Sequence, residues 1–180
     1  MKTFKIIPVV FGLVISFSAM AQSGVLKPGA TAGVSEANYK AHAAGWMVDM
    51  DKAYAESKKT GKPIMANFTG SDWCGWCKKL KSEVFDTPEF KAWAKKNVVL
   101  VELDFPRRFQ LPQKYKEQNA KLQQAFQVRG YPTIWVFNLG KDDKGQFTID
   151  ALGKTGYVKG TKAFTGGIDA MIEQKKDGKG

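Results

Sequence analysis

Apolar and polar positions along this chain follow two alternating periods. Ile64-Met65-Ala66-Asn67-Phe68-Thr69 is a short, nearly unbroken apolar run closed by Pro63 and Gly70, which predicts a buried central strand. Val98 to Asp104, reading Val-Val-Leu-Val-Glu-Leu-Asp, predicts a second strand rich in β-branched residues, and Thr133-Ile134-Trp135-Val136-Phe137 a third. A turn cluster from Gly140 to Gly145 then leads into Phe147 to Leu152, read as the hairpin partner of the third strand. Trp46-Met47-Val48 is expected to add a short strand at the front.

Between these runs the pattern turns helical. Asp51 to Lys59 has helical character until Thr60-Gly61-Lys62-Pro63 stops it, and Lys78 to Phe85 is helical in composition. Asp86-Thr87 offers a cap and Pro88 a first-turn proline, so a helix is expected over Pro88–Lys96. Lys114 to Val128 reads as a helix with Leu122, Ala125, Phe126 and Val128 on its apolar side, and a last helix is expected from Ala163 to Gln174. Phe105 to Pro112, with Pro106, Arg107 and Arg108, interrupts the pattern as a loop. Helices alternating with strands, then a hairpin and a closing helix, predict an α/β fold: a central mixed sheet flanked by helices, without internal repeats.

The ends differ from this middle. Lys2 and Lys5, an apolar run from Ile6 and the exit Ala19-Met20-Ala21 describe a secretory signal peptide over residues 1–21. Its run is shorter than the ~20 apolar residues of a membrane-spanning helix, and no second one follows, so no stable membrane insertion is expected after cleavage. Residues 22–44, small and polar with Gly24, Pro28, Gly29 and Gly33, read as a flexible lead-in; residues 45–175 as one domain; 176–180 as a frayed tail. An exported protein, periplasmic or otherwise extracytoplasmic, is the expectation, acting as a monomer.

The formal net charge is +11, or +9 once Lys2 and Lys5 are removed. The lysines are scattered over helical segments rather than packed in a block, which describes a solvated basic face. No module that interleaves basic and aromatic residues for nucleic acid is recognisable.

Cys74 and Cys77 are the chain's two cysteines. A disulfide across two intervening residues closes a tiny loop and adds little folding stability, so this pair points to reactivity. Placed where a strand ends and a helix opens, Cys74 meets unpaired backbone N–H groups and the positive end of the helix dipole, which favour the nucleophilic thiolate. Cys77, one turn further on, is within reach of a mixed disulfide formed at Cys74. Lys78 stands where attached c-type haem needs His, and His42 is the single histidine, too few for a zinc site. No resident metal or cofactor is expected, although a lone dithiol could capture copper(I).

The segment from Asn67 to Leu80 resembles the active-site segment of thioredoxin-like proteins, and Gly130-Tyr131-Pro132-Thr133 resembles the family's cis-proline loop. The resemblance spans about Trp46 to Gln174 and is strongest to secreted bacterial members. It implies the thioredoxin fold, with Cys74 as attacking and Cys77 as resolving cysteine. It also implies Trp73, Gly75 and Trp76 as the surface around them, and a cis Pro132 with Tyr131 backbone pairing to an extended partner segment. Partners would be protein disulfides or dithiols and an upstream electron donor. Gly75-Trp76 lacks a histidine that would stabilise the Cys74 thiolate, which tilts the pair toward reduction; an oxidase or isomerase and a non-catalytic copper-handling protein remain the alternatives. Asn67 stands where many relatives keep a buried Asp that helps deprotonate the second cysteine. Lys78, Lys79 and Asp72 are candidates by proximity to replace it. The loop from Phe105 to Lys116 is where partner choice could be encoded.

Overall fold

In the computed structural model, residues 34–177 are described, with side chains through Gln174. The expected signal peptide, most of the lead-in and the last three residues lie outside them. Ten elements follow one another: α1 (Met50–Thr60), β1 (Ile64–Thr69), α2 (Gly75–Leu80) continuing as one π turn (Lys81–Phe85), α3 (Pro88–Asn97), β2 (Val99–Asp104), α4 (Gln113–Ala125), β3 (Thr133–Lys141), β4 (Phe147–Thr155) and α5 (Thr161–Asp177).

The sheet order is β2-β1-β3-β4. β1 is parallel to β2 and antiparallel to β3, and β3 and β4 form the hairpin. Every residue of β1 is buried, as its continuous apolar run requires. Alternate side chains leave a strand on opposite faces, so β1 and β2 supply two cores. Ile64, Ala66, Phe68, Val99, Val101 and Leu103 join Met50 and Ala53 of α1 with Phe126 and Val128 on one side. Met65 packs on the other with Leu80, Val84, Phe85, Phe90, Ala94, Phe164 and Ile168 from α2, its π turn, α3 and α5.

Local chemistry sets the boundaries. Asp49 caps α1 through Asp51 N–H (3.0 Å) and Lys52 N–H (3.2 Å), and Gly61 ends it in the left-handed region at φ 71°. Thr87 caps α3, with Pro88 in its first turn. Three expected boundaries are corrected. α4 ends at Ala125, because Gln127 takes φ 50°; Phe126 and Val128 are buried beyond the helix, while Ala125 is exposed. β3 runs through Gly140 to Lys141, because the turn is made later, where Asp142 Oδ1 accepts from the Lys144 and Gln146 amides. Residues 46–48 contribute one parallel bridge, Met47 to Val101, which covers the outer edge of β2.

The lead-in is also shorter than expected. Ala43 is buried in the core, Tyr39 lies 5.1 Å from the Tyr115 ring, and His42 and Ala43 donate backbone hydrogen bonds to Glu102. Domain packing therefore begins before residue 45.

Candidate functional site

β1 ends at Thr69, and the link Gly70-Ser71-Asp72-Trp73 carries the chain to α2. Asp104, the last residue of β2, grips this link: Ser71 N–H donates to Oδ1 at 2.8 Å and the Ser71 hydroxyl to Oδ2 at 2.6 Å. Burial raises the Asp104 pKa, against the Ser71 and Phe105 hydrogen bonds that favour its anion. Cys74 caps α2, its sulfur accepting from Cys77 N–H at 3.2 Å, and the two cysteines are joined in a disulfide. Both are nearly buried, at 5% exposure. Gly75 opens the helix, and an added Cβ there would meet nothing within 4 Å.

Each cysteine directly follows a tryptophan, Trp73 before Cys74 and Trp76 before Cys77. Trp73 packs edge-on to Tyr131 at 5.7 Å, donates from Nε1 to Phe105 O at 2.8 Å, and carries the Arg107 guanidinium 3.8 Å over its ring. The Tyr131–Pro132 peptide is cis, and the Tyr131 hydroxyl accepts from Gln123 at 2.6 Å. Trp76 is the most exposed of these rings, at 56%. It lies 5.0 Å from Tyr157, with Lys79 over both rings at 5.3 and 5.6 Å. Trp73 and Tyr131 therefore form one contiguous group, whereas Trp76 sits with Tyr157 in a second. Tyr157, which follows β4, gave no motif in the sequence.

The residues suggested by proximity to assist Cys77 are engaged elsewhere. Asp72 accepts from the Arg107 and Arg108 amides at 3.0 and 2.6 Å, Lys78 Nζ donates to Asp72 O at 3.0 Å, and Lys79 sits over the rings. Slight burial works against Asp72, but the Arg108 and Arg107 amides hold its carboxyl below the usual range.

Behind Cys77 lies a cavity of about 20 Å³, enough for one water molecule. Asn67, Glu102, Thr69, Ser71, His42 and Cys77 are among the residues that line it. Asn67 is 5% exposed, and its Oδ1 has no hydrogen-bond partner. Glu102, 3% exposed, accepts from His42 N–H at 2.5 Å and Ala43 N–H at 3.1 Å. Burial lifts its pKa from 4.5 to about 7, with Asp104 adding to the rise and the two amides and Lys81 opposing it. Sequence reasoning passed over Glu102. The available signal was a carboxylate inside an apolar strand, two residues before the Asp104 that ends it, since buried Glu is rare unless partnered.

Among the described residues no group of three or more histidine, cysteine or acidic side chains could hold a metal ion, and no helix is long and apolar enough to cross a membrane. The family model for the thioredoxin-like domain matches residues 50–160. The disulfide bond reductase DsbH of Chlamydia pneumoniae is 32% identical over 116 residues, covering 62% of this chain and 70% of that protein. The thioredoxin-related protein DsbJ of the same organism is 28% identical over 108 residues, covering 60% of this chain and 30% of its own length. A solved DsbH oxidoreductase structure superposes with a TM-score of 0.60 at 27% identity, over 88% of this chain and 95% of that one.

Proposed function

This chain belongs to the thioredoxin-like family and is a thiol-disulfide oxidoreductase, and we propose that it works outside the cytoplasm to reduce disulfides of exported proteins. The observation that carries the proposal is the Cys74–Cys77 disulfide at the opening of α2, whose neighbour Trp73 packs edge-on to Tyr131, the residue before the cis Pro132. Direction is supported by two features. Gly75 and Trp76 place no histidine between the cysteines, and the similar Chlamydia pneumoniae protein is named a disulfide bond reductase. Location is supported by the leader-like residues 1–21.

In the reducing cycle, the Cys74 thiolate attacks a partner disulfide, forms a mixed disulfide and expels one partner sulfur as a thiolate. Cys77 then attacks Cys74 Sγ, closing the intramolecular disulfide and releasing the second partner thiol. Two electrons pass from the dithiol to the partner. An upstream electron donor must return them, because soluble cytosolic reductants do not reach that compartment. Trp73, Tyr131 and Pro132 form the docking face for the partner strand, while Trp76 with Tyr157 extends it.

Equilibration with glutathione redox buffers tests the direction. A potential nearer about −270 mV, typical of reducing dithiols, supports reduction; one near about −120 mV, that of a strong oxidase, overturns it. Cys77→Ser is expected to accumulate mixed disulfides with exported proteins, and Cys74→Ser to form none. Stoichiometric copper(I) binding without disulfide exchange would instead make the chain a metal-handling protein.

A further inference from the structure

We propose that Glu102 serves as the proton acceptor for Cys77, through one water held in the cavity between them, in place of an acid at position 67. The inference rests on the dithiol exchange described above and identifies what prepares its second step.

The geometry follows from strand alternation. β1 and β2 pair in parallel with Asn67 opposite Glu102, and Met65, Asn67, Leu100 and Glu102 face the side covered by α2. Glu102 and Cys77 thereby line one cavity. The cavity is polar: it holds the Glu102 carboxylate and the unpartnered Oδ1 of Asn67, so a bridging water finds the partners it needs. Asn67 cannot accept a proton from a thiol at neutral pH, but its amide can orient that water.

Glu102 is also suited to give and take a proton. Backbone N–H groups of His42 and Ala43 support its anion, while burial and the nearby Asp104 favour its acid, leaving it balanced about pH 7. A base poised near the working pH is the most effective kind. The charged or titratable groups around it are Asp104 on the same strand, Lys78 and Lys81 along α2 and its π turn, and His42 and Tyr39 in the segment covering the strand.

The step balances. The Cys77 S–H proton passes through water to Glu102, and the sulfur electron pair forms the Cys74–Cys77 bond. The bond between Cys74 and the partner sulfur breaks, its electron pair leaving on the partner thiolate. That thiolate then takes a proton, and Glu102 returns its own to water.

Reduced full-length protein mixed with excess 5,5′-dithiobis(2-nitrobenzoate) reads the two sulfurs separately, because attack by Cys74 releases one chromophore and resolution by Cys77 a second. For the unchanged protein, the second phase should follow a group titrating near pH 7. Glu102→Gln should slow that phase about ten- to hundredfold below pH 7 and move its limb up toward that of an unassisted thiol, about 8.5, leaving the first phase unaltered. Glu102→Asp should keep the limb at reduced rate, and this variant decides the matter if the Gln variant fails to fold. Asn67→Asp combined with Glu102→Gln should recover most of the loss by returning a carboxylate to the cavity. A second phase with unchanged rate and pH profile in Glu102→Gln, or both phases slowed alike, overturns the relay. Release of only one chromophore by the unchanged protein would instead overturn the exchange mechanism itself.

Discussion

Glu102 stands opposite Asn67 in the parallel pairing of β1 with β2, so the acid of this site lies one strand away from the position where the family resemblance placed it. The transfer has a thermodynamic cost as well as a chemical use. Burial raises the Glu102 pKa from 4.5 to about 7, so the folded state holds this proton more tightly than the unfolded state does. Such a group contributes stability below the unfolded value that is lost as pH rises through the folded one. The oxidised protein should therefore weaken between about pH 4.5 and 7, by at most roughly 3 kcal/mol, with little further change above. Asp104, also raised by burial, acts in the same direction. Urea unfolding at pH 5 and pH 8 measures the difference, which should shrink in Glu102→Gln; an undiminished difference would assign it to other groups.

Gly70 is required by the Trp73 ring. A Cβ at position 70 would lie 2.5 Å from Trp73 Nε1 and 2.8 Å from Cζ2, and Gly70 O also accepts from the Trp73 and Cys74 amides. Gly70→Ala should therefore displace Trp73 from Phe105 O and disturb the approach to Cys74. Overpacking of this kind costs about 1–3 kcal/mol. Exchange with a protein disulfide should fall about tenfold or more, since small misplacements near reacting atoms are expensive. Altered tryptophan fluorescence in a folded variant would accompany the loss; normal fluorescence and full activity would show that the ring moves aside freely.

Trp76 offers contact area with little structural duty. More than half exposed, it touches Tyr157 and carries Lys79 above it, away from both cores. Trp76→Ala should change stability by no more than about 1 kcal/mol. An exposed aromatic anchor at an interface is worth about 1–2 kcal/mol, so KM for a protein disulfide should rise roughly five- to thirtyfold. Turnover of a small synthetic disulfide should stay the same. Equal losses on both substrates would mean that Trp76 tunes the cysteines rather than the docking surface.

The legible parts of this chain were those fixed by short-range chemistry. The limits of β1 followed from Pro63 and Gly70, the start of α3 from Thr87 and Pro88, and the pairing of Cys74 with Cys77 from their spacing where a strand gives way to a helix. What escaped depended on contacts between distant segments. The helical pattern at Phe126 and Val128 was real apolar signal, but it belongs to a buried post-helical turn created by the left-handed Gln127. Tyr157 becomes part of the site only because the end of β4 returns beside α2. Glu102 required the strand register to be known, since alternation alone says which residues share a face but not which helix covers it.

Asp72 holds the loop that follows β2. Its carboxylate accepts from the Arg107 amide at 3.2 and 3.0 Å and from the Arg108 amide at 2.6 Å, which also keeps the Arg107 guanidinium over Trp73. The loop bearing the two arginines is thus tied to the cysteine link by one side chain. Asp72→Ala should speed hydrogen exchange at the Arg107 and Arg108 amides by about tenfold or more while leaving core amides unchanged, because the opened segment lies outside both cores. Asp72→Asn should fall between, since its amide oxygen still accepts a hydrogen bond. The carboxyl is held below the usual range by these amides, against slight burial, so the clamp should persist across pH 5–8 and release only in stronger acid. If the loop selects partners, Asp72→Ala should also change the ratio of rates on two different protein disulfides while a small disulfide reacts as before. Unchanged exchange at both amides would show that the loop is held by the Trp73 and Phe105 contacts instead.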